Sequence, residues 1–256
     1  MPHTARRKKT QAHPKRLAVA DEDGWTHVTT AAQVARKAFS ELDGELLPAE
    51  APARLTIDEL KKQYHVHKQR WENSSSWDAL KRALPPRNPA AAHRGIDNVV
   101  CIGLGSPSGL LRGGWVDRRS VSLYQLAALA SILEYLETDV DVKIKEVSAQ
   151  DPVFNELDKQ LLQSLGITVV EHPTAFHLVN ERTLLYCPGA ETAHLAQILP
   201  SSPALLFGGP LDSTSSDEAI AAFVQTRRSV QLPAFEPNEH AFWNMRLYWK
   251  EDGDSG

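Results

Sequence analysis

At 256 residues, 42% of them hydrophobic, the chain is long enough to bury roughly three quarters of the surface its unfolded form exposes, as one large domain or one domain with a small annex. Apolar stretches such as 126–133 are far too short to cross a bilayer, the first residues lack the apolar core of a secretory signal, and two cysteines, Cys101 and Cys187, make no disulfide framework, so a reducing compartment is expected. The net charge of −4 hides an asymmetry: Arg6, Arg7, Lys8, Lys9, Lys15 and Arg16 stand in a stretch without acids, and setting those six charges aside leaves −10 on the remainder, which argues against a nucleic-acid binder.

In chain order, residues 1–20 are expected to be a disordered basic tail, because like charges repel and no apolar residue repeats there. Its Arg6–Lys9 cluster reads as a nuclear address or as a solvated terminus. Residues 21–95 read as a helical annex: a short extended piece Gly24-Trp25-Thr26-His27-Val28, a weakly periodic helix at 31–42 and a Pro- and Ala-rich linker at 47–54. A helix follows the capping box Thr56-Ile57-Asp58-Glu59, with Ile57, Leu60, Tyr64, His67 and Trp71 at helical spacing. A second short helix fits 77–84, capped by Ser75 or Ser76 and stopped by Pro85-Pro86.

The core, 96–250, opens on Val99-Val100-Cys101-Ile102, an apolar run suited to a strand buried on both faces. Residues 122–137 form the clearest helix, with Leu126, Leu129, Ala130 and Leu133 on one stripe. Strand 140–147, helix 156–165 stopped by Gly166, strand 167–170, strand 184–187, helix 192–199, strand 204–207 and helix 217–227 follow. This alternation predicts βαβ units and a mostly parallel, Rossmann-like α/β sheet flanked by helices, with Cys101 and Cys187 on neighbouring strands. Trp243, Met245, Leu247 and Trp249 alternate with polar residues, which predicts an antiparallel C-terminal edge strand over 243–250 with those four side chains inward, before an acidic tail at 251–256.

Three segments carry a resemblance. Cys101-Ile102-Gly103-Leu104-Gly105-Ser106, then Tyr124-Gln125-Leu126, then Gln150-Asp151-Pro152-Val153-Phe154 with Asp158 and Leu161 resemble the SRR-like domain, the "sensitivity to red light reduced" family, and the flanks at 24–28 and 241–249 are similar to that family's own. The resemblance is strongest over 98–166. It implies roles in circadian and light signalling in plants, haem metabolism in animals or microtubule-related growth in fungi, and it brings no agreed reaction.

Each candidate ligand-binding residue has a structural alternative. Gly103, Gly105 and Ser106 lie where a Rossmann phosphate loop would be, but Ser108 replaces its third glycine and the next helix starts only near Ser120, so a plain strand-to-loop turn fits as well. Asp151, or Glu146, stands where an acid would meet a ribose hydroxyl, while Asp151-Pro152 also reads as a turn. Gln125 either forms a capping box with Ser122 or offers an amide to the pocket. Cys187-Pro188 ends a strand; its thiolate is a haem-iron ligand under the family's haem link, and otherwise a small buried residue. His65 and His67 face different ways on their helix, and no zinc spacing, nucleophile elbow or Walker loop occurs.

The leading expectation is a regulatory protein binding a small ligand or a protein partner, without membrane attachment, in the cytoplasm or nucleus. A methyltransferase-like enzyme is the competing reading, because the S-adenosylmethionine-dependent fold also opens with a glycine loop after its first strand and often ends on an antiparallel strand. An interaction scaffold with a vestigial pocket is the third. S-adenosylmethionine, NAD(P) and haem are the cofactor candidates.

Overall fold

The computed structural model describes residues 17–20, 26–29, 47–84, 95–110, 118–140, 142–211 and 216–250. The basic run of the tail, the helix expected at 31–42 and the acidic tail lie outside them. The chain divides into two units, Met1–Leu46 and Leu47–Gly256. In the first, β1 (Leu17–Ala20) pairs antiparallel with β2 (Thr26–Thr29), Leu17 opposite Thr29.

In the second unit two helices precede the sheet. Thr56 accepts the Glu59 N–H at 3.3 Å and starts α1 (Ile57–Glu72). Ser74, not Ser75 or Ser76, caps α2 (Ser75–Ala83): its extended backbone turns the hydroxyl onto the Trp77 N–H, so the two following serines become the first helical residues. Then come β3 (Asn98–Ile102), α3 (Arg119–Thr138), β4 (Glu146–Gln150), α4 (Glu156–Ser164), β5 (Thr168–Val169), α5 (Thr174–Leu178), β6 (Thr183–Cys187), α6 (Thr192–Ile198), β7 (Leu205–Gly208), α7 (Glu218–Gln225), β8 (Arg228–Gln231) and β9 (Arg246–Trp249). No helix among the described residues is long and apolar enough to cross a membrane.

The seven strands follow the order β5-β4-β3-β6-β7-β9-β8. From β5 to β7 every pairing is parallel, and β9 runs antiparallel to both its neighbours. Counted from β3, the parallel part has the doubly wound order, with its switch point between β3 and β6. Cys101 and Cys187 do lie on these neighbouring strands, both free and buried, on opposite faces of the sheet. Strand β3 is central because both its faces are apolar: Val99 and Cys101 join the cluster shared with α1, α2, α3 and α4, while Val100 and Ile102 join the cluster shared with α5, α6 and α7.

Helix α3 is buried from Val121 to Ile132 on all sides rather than along one stripe. It lies between the sheet and α1, so its outer side chains meet Tyr64 and Trp71 in the same cluster as its inner ones meet β3. Of the strand expected at 140–147 only the end is one: at 142–145 Val142 donates to the Leu136 carbonyl and Lys145 to that of Asp97, closing the base of α3, and β4 begins at Glu146 and runs on to Gln150.

The C-terminal segment departs further. Residues 243–245 belong to a turn with Asn244 at φ +55°, and Trp243 is 59% exposed. Strand β9 is antiparallel as expected, but β8, a polar strand that its composition conceals, takes the edge and leaves β9 one place inside it. An interior strand is covered on both faces, and accordingly Leu247 and Tyr248 are both buried. Leu247→Ala is expected to cost about 2–5 kcal/mol in chemical denaturation, and Trp243→Ser less than about 0.5 kcal/mol. Equal losses at the two positions would restore the longer strand with Trp243 inward.

Candidate functional site

The loop after β3 is built from the residues that follow β4. Asp151 leaves the end of β4 and turns back on itself, Oδ1 accepting the Val153 N–H at 3.0 Å, which is the turn that Asp-Pro encodes. Its Oδ2 accepts the Gly105 N–H at 2.7 Å. Four residues after Asp151, Asn155 caps α4 and forms a reciprocal capping box with Asp158. The Asp158 side chain has no exposed surface and takes three donors: the Ser106 hydroxyl at 2.6 Å, the Ser108 N–H at 2.9 Å and the Asn155 N–H at 3.0 Å. Asn155 in turn accepts the Ser108 hydroxyl at 3.0 Å and donates to the Ala49 carbonyl at 3.0 Å, so the segment at 49–50 straps the loop from outside.

Two glycines are required by close approach and by backbone angle. Gly103, at φ +77°, faces Gly189 of the loop after β6 so closely that a Cβ at 103 would lie 2.5 Å from the Gly189 carbonyl carbon. The loops on either side of the switch point thus touch backbone to backbone. Gly105, at φ +73°, packs against Ser122 of α3, whose hydroxyl would meet an added Cβ at 2.7 Å.

Gly103, Gly105, Ser106 and Asp151 therefore gather at the carboxyl end of the sheet; Gly103, Gly105 and Asp151 are half-buried there. Gln125 and Cys187 are placed otherwise. Helix α3 starts at Arg119 with no side-chain cap, so Gln125 lies in its second turn, where its amide donates to the Ala241 carbonyl at 2.8 Å and its own carbonyl receives the Tyr186 hydroxyl at 3.0 Å. The Cys187 side chain packs among Val100, Leu185 and Leu206, and burial pushes its thiol up. Glu146 begins β4, at the opposite end of that strand from Asp151. His67 uses both ring nitrogens, on the Gln63 carbonyl at 2.7 Å and the Ser120 hydroxyl at 3.3 Å.

Sequence reasoning missed the rim beside Asp151. The end of β4 supplies Gln150, whose Oε1 accepts the Ala175 N–H at 3.0 Å and whose Nε2 meets Nδ1 of His172 at 3.1 Å. The rings of His172, Phe176 and His194 lie within 5.1–6.0 Å of one another, and His194 interacts electrostatically with Asp151. Only the topology, which ends β5, β4, β3 and β6 in one row, brings His172 and His194 here. Among the described residues no group of three or more His, Cys, Asp or Glu is placed to hold a metal ion.

Gly105→Ala is expected to cost about 1–3 kcal/mol for its positive φ. Gly103→Ala should cost more, because the Gly189 backbone must move; equal midpoints in urea would show that the contact across the switch point does not constrain the fold. Burial raises Asp151 above its ordinary 3.8, against the Gly105 and Val153 N–H groups that lower it. The folded chain then holds that proton more readily than the unfolded one, so Asp151's contribution to stability is fully present below the ordinary value and declines as pH rises through the raised one. Asp151→Asn, which does not titrate, is expected to show its largest deficit against wild type near about pH 4 and a smaller one near about pH 7, measured as melting temperature; a deficit that grows with pH contradicts the assignment.

No curated protein matches the chain. The family model of the SRR1 domain matches residues 57–249, from the first residue of α1 to the last of β9, and takes in the glycine loop and both aspartates beneath it. With that match covering most of its length, the chain belongs to the SRR1-domain family.

Proposed function

We propose that this SRR1-domain protein is a regulatory protein that holds a small ligand at the carboxyl end of its sheet, and that ligand occupancy or a protein partner acts through the glycine loop. The observation that carries the reading is the loop itself. Gly103 and Gly105 are held at positive φ at the topological switch point, half-open beside Asp151, where open α/β sheets receive their ligands. The family's links to light signalling, haem metabolism and growth control suit a binding role.

A second reading, a methyltransferase-like enzyme, is favoured by the antiparallel β9 set inside the edge of an otherwise doubly wound sheet that opens on a glycine loop. Fold alone does not carry function, so this reading rests on its ligand.

A thermal-shift panel of S-adenosylmethionine, NAD(P) and haem separates the possibilities. A ligand at about 100 times its dissociation constant adds roughly 2.7 kcal/mol of stability. A shift with any of the three supports the ligand reading, and a shift with S-adenosylmethionine alone supports the enzyme. No shift with any of them leaves a scaffold whose loop serves the fold only.

A further inference from the structure

A phosphate group bound at a glycine loop needs free backbone N–H groups and the N-terminus of the following helix. Five of this loop's backbone donors are already engaged within the chain. The N–H of Gly103 goes to the Gln150 carbonyl, Gly105 to Asp151, Ser108 to Asp158, Gly109 to the Ser106 hydroxyl and Leu110 to the Glu50 carbonyl. Helix α3 does not begin until Arg119, and two carboxylates lie directly beneath the loop. With those donors engaged, no helix N-terminus close behind and two carboxyl groups beneath it, such a loop is poorly suited to a pyrophosphate.

What the rim does offer is suited to hydroxyls. A carboxylate has about four acceptor sites, and Asp151 gives two of them to Gly105 and Val153 while staying short of full burial. His172 supplies a donor of known direction. The Ala175 N–H can only donate, so it fixes the Gln150 oxygen; the Gln150 nitrogen therefore donates to Nδ1 of His172, and in the neutral ring the proton lies on Nε2. An imidazole held this way is a hydrogen-bond donor through Nε2 and not a metal ligand there. Phe176 and the half-buried ring of His194 extend it as an aromatic wall, whose His194 end lies within electrostatic reach of Asp151.

We propose that this rim binds a nucleoside that brings no phosphate to the loop, its ribose hydroxyls on Asp151 and an acceptor atom on Nε2–H of His172. The inference rests on the small-ligand reading above and narrows it to uncharged or cationic nucleosides, excluding dinucleotides.

Isothermal titration calorimetry of the full chain with adenosine, S-adenosylmethionine, ADP, NAD+ and haem tests it. Adenosine and S-adenosylmethionine are expected to bind, with ADP and NAD+ weaker by about tenfold or more. His172→Ala removes an exposed side chain and should leave the melting temperature nearly unchanged while weakening adenosine about five- to tenfold. Asp151→Asn, by removing the charge, should narrow the preference for adenosine over ADP. ADP or NAD+ binding as tightly as adenosine, adenosine failing to bind, or His172→Ala binding like wild type each overturns the inference. Binding of haem with none of the nucleosides would overturn it and leave the small-ligand reading standing, whereas no binding by any of these compounds sinks both.

Discussion

A carboxylate with no exposed surface survives in a folded chain only when donors surround it, and Asp158 is the group on which the carboxyl end of this sheet depends. Its three donors come from two stretches of chain about fifty residues apart in sequence, the loop after β3 and the start of α4. Removing any of them would leave polar groups unpaired in a dry site. The constraint therefore sets the position of Ser106 and Ser108 against Asn155, and through Asn155 the position of Ala49. Asp151 repeats the device one turn earlier and nearer to solvent, where its remaining lone pairs stay within reach of a ligand.

The same loop is tied on its other side by Gly103 against Gly189. Two neighbouring parallel strands thus end in loops with no side chain between them, which leaves the floor of the switch point as bare backbone. Membership in the SRR1-domain family is consistent with this economy: the residues that make the resemblance, from Gly103 to Ser106 and from Gln150 to Asp158, are those that build the loop and the hydrogen bonds beneath it.

How much of this could be read in the sequence follows from where its signals come from. Strands β3, β6 and β7 were legible because burial on both faces demands unbroken apolar runs. Strand β4 was displaced because its own residues, Glu146 to Gln150, are small or polar, while Val142 and Ile144 just before it alternate only to fill the base of α3. Strand β8 carries no apolar signal because it is an exposed edge, and without it β9 looked like the edge. At the site, the local chemistry of Asp151 and the Asn155–Asp158 capping box was visible in neighbouring residues. The pairing of His172 with Gln150 was not, since it depends on which strand ends adjoin, and the capping box of Ser122 with Gln125 does not form because α3 begins three residues before Ser122.

The interior position of β9 also dictates an order of assembly. Among the described residues strand β8 pairs only with β9, and β9 pairs with β7, so β8 has no place in the sheet until the chain has passed it, turned at 232–245 and returned as Arg246–Trp249. During synthesis β7 must wait with an open, wholly apolar edge while more than thirty residues are still to emerge. Closing that edge late, by contacts remote in sequence, is the slow kind of step in folding, and it makes this stage the one at which a nascent chain would most need protection from sticking to its neighbours.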